Sequence, residues 1–402
     1  MNIYEYQAKK IFKDFGIEVP NGMVAYTPHE AVNVAQKISS TGPWIVKAQI
    51  QAGARDTGHF SEKRAGRKGG IRISKTLDDV YKNSDEMLGN MLITSQTDRK
   101  GRLVSRVYVE EYVKVSKKYY LGFIIDRISA SVILLLAPVT RRFYDDIISI
   151  SQEEPYNILK INLGLQKELS AKQLDMIIDF MRFQGKVPLL KKFLNKALML
   201  FYKYDATMLE INPFGIGRDD KIYALDAKIL FDENALYRHN DILSINNDAD
   251  VDEREIIARK YGFQYKELDH GIGLISNGSG LAFNTMNEAL KQGLCTACYL
   301  NIKGGVDRDK ITAGIKLIMT NPKVDGIFIN ILGGFTRCNF IADGIISIAN
   351  DLGLNIPLVA RFEGTNKDEA INILLNSGLA IKLAPDTLTG LALLKEAILE
   401  DL

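Results

Sequence analysis

From residue 271 onward the sequence alternates between short apolar runs and helical patterns, and this regularity restricts the fold of that half more than any other feature. Strands are predicted at residues 271–275, 297–302, 326–331, 357–361 and 379–382. Runs that are apolar throughout suit strands covered on both faces, so the spacing predicts a doubly wound, parallel α/β sheet. Four of the runs end in glycine-bearing loops: Ser276-Asn277-Gly278-Ser279-Gly280, Lys303-Gly304-Gly305, Leu332-Gly333-Gly334-Phe335-Thr336 and Phe362-Glu363-Gly364-Thr365-Asn366. Such loops fall at the carboxyl edge of the sheet, where this architecture binds ligands. The turn at residues 332–336 is a candidate carboxylate or phosphate cradle, since helix N-termini leave N–H groups unpaired, and Asn277 is a second candidate donor.

The first half is less regular and reads as α+β. An amphipathic helix is predicted over 4–15, and a second runs from a Thr27 cap and Pro28 to about 38. Strands are expected at 44–50, 106–109, 119–125 and 131–136, then helices at 170–183 and 191–204. A hairpin follows, from 208–214 to 223–228. A turn centred on Asp219 sets Asn212 opposite Asp226 and Glu210 opposite Lys228, bringing an amide oxygen and carboxylates to one face. Two readings fit: an ordinary hairpin with a polar outer face, or a set of hard oxygens suited to Mg2+. A chain of 402 residues is too long for one core. The polar stretch from 240 to 253 marks the boundary, giving domains of 1–245 and 246–402.

Lys47 lies within Trp44-Ile45-Val46-Lys47-Ala48-Gln49. Alternation places it with Ile45 and Gln49, either facing solvent or binding an anion. The following loop, residues 51–58, favours the anion, because its backbone N–H groups and Arg55 are suited to wrap a polyphosphate. A net charge of +2 provides no general field for nucleic acid or membrane. The longest apolar run, 131–139, is too short to span a bilayer, and the opening residues lack a signal-peptide pattern, so a cytoplasmic or matrix protein is expected. Three cysteines fit a reducing compartment, and the lone Cys295/Cys298 pair reads as small buried residues. None of the four histidines lies in a glycine-rich loop and no Ser or Cys nucleophile motif is evident, which suggests that part of the active site lies on another chain.

Taken together, several motifs resemble the succinate–CoA ligase beta-subunit family, collinearly over nearly the whole chain. They are Asn2-Ile3-Tyr4-Glu5-Tyr6-Gln7-Ala8-Lys9, residues 44–49, 209–213, 225–228, 234–238 and 277–282, and Asn330-Ile331-Leu332-Gly333-Gly334 through Arg337-Cys338. The resemblance implies an ATP-grasp domain followed by a flavodoxin-like CoA-ligase domain. It implies interconversion of succinate, CoA and ATP (or GTP) with succinyl-CoA, nucleoside diphosphate and phosphate in the tricarboxylic acid cycle of a bacterial cytoplasm. An alpha subunit would supply a phosphorylated histidine and bind most of the CoA, as an alpha-beta pair or a dimer of pairs. By motif position, Lys47 and Arg55 hold phosphates, Ala54, Asp56, Glu110, Val113 and Lys118 complete the nucleotide pocket, Asn212 and Asp226 ligate Mg2+, and Glu210 is catalytic toward the phosphohistidine. Asn277, Gly334, Phe335 and Thr336 fall at the substrate site.

The chain departs from that pattern in four places. Where the family usually has His-Ala-Gly-Gly-Arg-Gly-Lys, this chain has Gln51-Ala52-Gly53-Ala54-Arg55-Asp56-Thr57. A misplaced charge about 4 Å away is worth roughly 1 to 4 kcal/mol. Lys118 replaces a usual Glu, residues 140–146 replace an acidic double-glycine loop, and Asn301-Ile302-Lys303-Gly304-Gly305 replaces an Asp followed by three glycines. The expectation is an active ligase beta subunit; the alternatives are an assembly subunit with weak nucleotide chemistry, or a ligase for another dicarboxylate such as malate.

Overall fold

The structure, a computed structural model, describes residues 1–97, 99–139, 157–245, 253–304, 307–353 and 355–400. The departure at 140–146 lies outside these. The chain divides into two compact units, Met1–Asn246 and Asn247–Leu402.

In the first unit, four antiparallel strands are ordered Gly22–Ala25, Val107–Glu111, Trp44–Ala48 and Ile71–Ser74. Helices Pro28–Ile38 and Leu77–Met87 share a core with one face of this sheet. The Thr27 hydroxyl accepts the Glu30 N–H at 3.1 Å, and Pro28 occupies the first turn, where its missing N–H costs nothing. Trp44, Val46 and Ala48 point into that core. By period 2, Lys47 points the other way, yet it is buried too. The reading of a solvent-facing Lys47 is therefore excluded.

A larger sheet runs in the order Leu159–Gly164, Ser131–Pro138, Val115–Asp126, Ala206–Gly217 and Ile222–Ala224, and Lys228–Phe231 also pairs with Ala206–Gly217. Helices Glu5–Asp14, Ala171–Met181 and Val187–Lys203 bury Phe12, Ile177, Leu194 and Leu198 against Leu121, Phe123, Leu209 and Ile211. Since Leu209 and Ile211 face this core, alternation turns Glu210 and Asn212 to the opposite side.

The hairpin keeps the expected register at both ends, with Glu210 opposite Lys228 and Phe214 opposite Ala224. Between them the ladder opens, so the predicted second strand is two strands, Ile222–Ala224 and Lys228–Phe231. Pro213 has no N–H to give, and the contact there is Leu225 N–H donating to the Pro213 carbonyl at 2.9 Å. Leu225 and Asp226 leave the sheet, and Asn212 and Asp226 are not a ladder pair.

The second unit holds one six-stranded sheet, in the order Gln264–Glu267, Thr296–Asn301, Gly271–Ser276, Val324–Gly333, Leu358–Gly364 and Ile381–Leu383. Five strands are parallel. Gln264–Glu267, which the sequence reading missed, adds to the edge antiparallel; its polar side chains lack the apolar run that marks a buried strand. Helices Arg308–Met319, Cys338–Leu352 and Lys367–Leu375 cover one face, and Ser279–Lys291 and Thr387–Glu400 the other. The strand order reverses beside Gly271–Ser276, which opens a crevice at the carboxyl edge. Gly364, at φ +98, is needed there because a Cβ would stand 1.9 Å from the Gly333 carbonyl oxygen. All three cysteines are free; Cys298 and Cys338 are buried, whereas Cys295 is exposed, contrary to the expectation for that pair. No helix among the described residues is long and apolar enough to cross a membrane.

Candidate functional site

A cavity of about 240 Å³ lies in the first unit, bounded by the Trp44–Ala48 strand, the 51–56 loop, residues 110–118 and the opened hairpin. Lys47, Ala54, Arg55, Asp56, Glu110, Val113, Lys118, Glu210, Asn212 and Asp226 all line it. The fold thus gathers every residue expected at the nucleotide and metal sites.

Part of the wall is a buried ionic cluster. Lys47 Nζ stands 2.7 Å from Glu5 Oε1, 2.6 Å from Glu110 Oε1 and 2.7 Å from the Leu225 carbonyl oxygen. Lys9 Nζ reaches Glu110, Glu5 at 3.0 Å and the same Leu225 carbonyl at 2.7 Å. Arg55 Nη2 meets Glu5 Oε2 and Asp226 Oδ2, each at 2.7 Å, while its Nη1 donates to the Ala48 carbonyl at 2.9 Å. Three cations, Lys9, Lys47 and Arg55, therefore match three carboxylates, Glu5, Glu110 and Asp226. Burial raises the Glu5 carboxyl, but Lys47, Lys9 and Arg55 outweigh it and hold it well below the usual carboxylate range. Burial likewise disfavours the Lys47 ammonium, and Glu110, Glu5 and Asp226 reverse this and keep it charged. Glu5 and Lys9, read from sequence as part of an amphipathic helix and of the opening motif, were assigned no role at the site. Their i, i+4 spacing on a face that also carries Ala8 and Phe12 was the available signal.

The polar wall has a different character. Burial pushes the Glu210 carboxyl up, Lys228 opposes this, and Asp226 adds to it. Burial also raises half-buried Asp56, against its backbone hydrogen bonds. Asn212 Nδ2 has a long contact of 3.5 Å to Glu210 Oε1, and Asn212 Oδ1 is buried with no hydrogen-bond partner. A buried carbonyl oxygen without a donor is destabilising by about 1 to 3 kcal/mol. Asp226 Oδ1 accepts the N–H of Ala227 at 2.7 Å, and Oδ2 takes Arg55. No group of three His, Cys, Asp or Glu able to hold a metal occurs among the described residues. Two hard oxygens on the cavity wall nonetheless suit an ion that takes its other ligands from water and phosphate. Lys118 is exposed at the rim, and Ala54 sits in the left-handed region at φ +54. Gln96, also missed, accepts the Gly53 N–H at 2.9 Å and Lys228 Nζ at 3.3 Å.

At the crevice of the second unit, Asn277, Gly334, Phe335 and Thr336 line a second cavity with Gln264, Asn301 and Lys303. Asn277 acts mainly as a pin: its Oδ1 accepts the Leu332 N–H at 2.9 Å and its Nδ2 donates to the Leu332 carbonyl at 2.6 Å. Asn301 Oδ1 accepts the N–H groups of Gly278 and Lys303 at 2.8 and 3.1 Å. Thr336 is buried and donates to the Lys303 carbonyl at 3.2 Å, whereas Phe335 is 94% exposed. The loops are tied together through side chains, and the backbone joins in where the Cys338 N–H donates to the Thr365 carbonyl at 3.0 Å.

Residues 2–216 match the family model of the ATP-grasp domain, and 275–389 that of the CoA-ligase domain. The succinate–CoA ligase (ADP-forming) subunit beta of Macrococcus caseolyticus is 40% identical over 412 residues, covering 100% of both chains. The chain belongs to the succinate–CoA ligase beta-subunit family. The corresponding subunit of Rhizorhabdus wittichii is 40% identical over 390 residues and covers 96% of each chain. As a member of this family the chain is part of a nucleotide-dependent acid–CoA ligase, with an ATP-grasp domain preceding a CoA-ligase domain. Among solved structures, ATP citrate lyase from Methanothrix soehngenii, in complex with citrate and coenzyme A, is similar at a TM-score of 0.71, 14% identity and coverage of 98% and 99%, a likeness of fold. Of the stretches expected to differ from the family pattern, residues 51–56 and Lys118 line the first cavity and Asn301, Lys303 and Gly304 the second.

Proposed function

We propose that the first unit, to residue 245, binds a magnesium–nucleoside triphosphate, ATP by kinship with ADP-forming relatives and GTP as the alternative base. In this reading the chain works in the cytoplasm with an alpha subunit whose histidine takes up the γ-phosphoryl group. Together they interconvert succinate, CoA and ATP with succinyl-CoA, ADP and phosphate, CoA being held largely by alpha. The observation that carries the reading is the buried, unpartnered Asn212 Oδ1 beside Asp226 on the cavity wall. Asn212 and Asp226 would hold Mg2+, which when bound offsets negative charge on the phosphoryl group.

The chain's own residues supply position. Arg55 and Lys47 hold the 51–57 loop and the Leu225–Asp226 segment against the Glu5–Asp14 helix, a contact that would orient Asp226 toward a metal. Ala54, Asp56, Glu110, Val113 and Lys118 shape the nucleotide cavity, and Glu210 faces the incoming histidine. The second unit, from residue 246, takes the acid at Asn277, Gly334, Phe335 and Thr336, where helix N-termini favour a carboxylate.

The test is to purify the chain with its alpha subunit and add Mg-ATP. Phosphohistidine on alpha is expected, with ADP release that depends on both CoA and succinate. No phosphohistidine at saturating Mg-ATP removes the reading.

A further inference from the structure

The cations of the first cavity differ in what already neutralises them. Lys47 directs its three N–H groups at Glu5, Glu110 and the Leu225 carbonyl, and Arg55 is matched by Glu5 and Asp226. Lys228 also lines the cavity and is half-buried. Among the described residues no carboxylate is in ion-pair contact with it, and its one hydrogen bond goes to a neutral group, Gln96 Oε1, at 3.3 Å. An ammonium carries three donors, so two are unengaged. The ladder sets Lys228 opposite Glu210, two residues beyond Asp226. Its ammonium is thus placed at the end of the cavity that holds the expected catalytic and metal groups.

Gln96 fixes that placement. The oxygen that takes Lys228 also accepts the Gly53 N–H at 2.9 Å, and a Cβ on Gly53 would stand 2.7 Å from it. One amide oxygen therefore couples the 51–57 loop to the Lys228 side chain.

We infer that Lys228 is the cation that holds the transferring phosphoryl group, and that Gln96 is the positioning residue that sets Lys228 against the 51–57 loop. The inference rests on the nucleotide reading above. In the transfer, a lone pair on an imidazole nitrogen forms the P–N bond while the bond from phosphorus to the bridging oxygen breaks. That bond's electron pair leaves on the nucleoside diphosphate, the proton on the other ring nitrogen stays there, and Lys228 keeps its protons. The charge in such a transition state spreads over the equatorial phosphoryl oxygens, where a fixed cation with unengaged donors stabilises it. Lys47, saturated by two carboxylates and a carbonyl, supplies less.

Single-turnover phosphorylation of the complete alpha-beta complex by labelled Mg-ATP tests this, alongside calorimetric binding of Mg-ADP, which lacks the group in question. Lys228→Met is expected to slow phosphohistidine formation about 100-fold, with the Mg-ADP dissociation constant within about threefold of wild type. Lys228→Arg is expected to recover at least a tenth of the wild-type rate, and Gln96→Leu to slow the reaction roughly tenfold. A Lys228→Met complex that phosphorylates at the wild-type rate overturns the inference. So does a parallel loss of Mg-ADP binding in both Lys228 variants, which marks a structural role. A wild-type complex that forms no phosphohistidine overturns the nucleotide reading instead.

Discussion

Arg55 Nη2 lies 2.7 Å from Asp226 Oδ2, so an ion pair latches the 51–57 loop to the hairpin across 171 residues of sequence. The loop expected to wrap the phosphates is thereby held by the side chain expected to ligate the metal. The same arginine reaches Glu5 and ties both to the first helix.

Asn212→Ala removes a buried oxygen whose lack of a donor is destabilising by about 1 to 3 kcal/mol, so the unliganded protein should be no less stable than wild type. Its stabilisation by Mg-ATP should fall sharply. A ligand at about 100 times its dissociation constant adds roughly 2.7 kcal/mol, and most of this should vanish from the variant's denaturation curve. Full retention of the ligand effect would count against Asn212 as a metal ligand.

Lys9 is 1% exposed and touches Glu5, Glu110 and the Leu225 carbonyl. Lys9→Met leaves an uncompensated buried carboxylate and should cost about 3 to 5 kcal/mol in denaturant unfolding. A loss below about 1 kcal/mol would show that water or a neighbour relieves the charge.

At Ala54, a side chain is held at φ +54, where non-glycine residues are disfavoured by roughly 1 to 2 kcal/mol. Glycine regains this but loses about 0.5 to 1 kcal/mol through its freer unfolded chain. Ala54→Gly should therefore stabilise the protein by up to about 1.5 kcal/mol, and Ala54→Val should destabilise it. Thermal melts that rank the two variants in the opposite order would refute the assignment of strain.

Burial pushes the Cys298 thiol up to about 11, against hydrogen bonds with Tyr265 and Asn321 that lower it. Below about pH 9 the thiol is protonated in both folded and unfolded chains. Above that the unfolded chain loses its proton first, so the stabilisation is present at lower pH and disappears as pH rises from about 9 to about 11. Exposed Cys295 should alkylate rapidly at pH 8, and Cys298 only on unfolding. Equal labelling rates in the folded protein would contradict this.

Much of the architecture was legible in the order of residues. The alternation after residue 271 announced the parallel sheet, because strands buried on both faces must be apolar throughout. Thr27 with Pro28, and Ser170, announced helix starts, because a cap acts on N–H groups two or three residues away. The hairpin register followed from its turn, so Glu210 and Lys228 could be paired from sequence. What only the tertiary structure decided was the company each polar group keeps. A helical pattern reports which face Glu5 and Lys9 share but not that Lys47, Arg55, Glu110 and Asp226 meet them there. The ladder's opening beside Pro213, which frees Asp226 toward Arg55, and the bridge from Gln96 to Gly53 and Lys228 likewise join distant segments. Periodicity reports burial, a property of one segment; charge neutralisation is a property of several segments in contact, and folding alone brings them together.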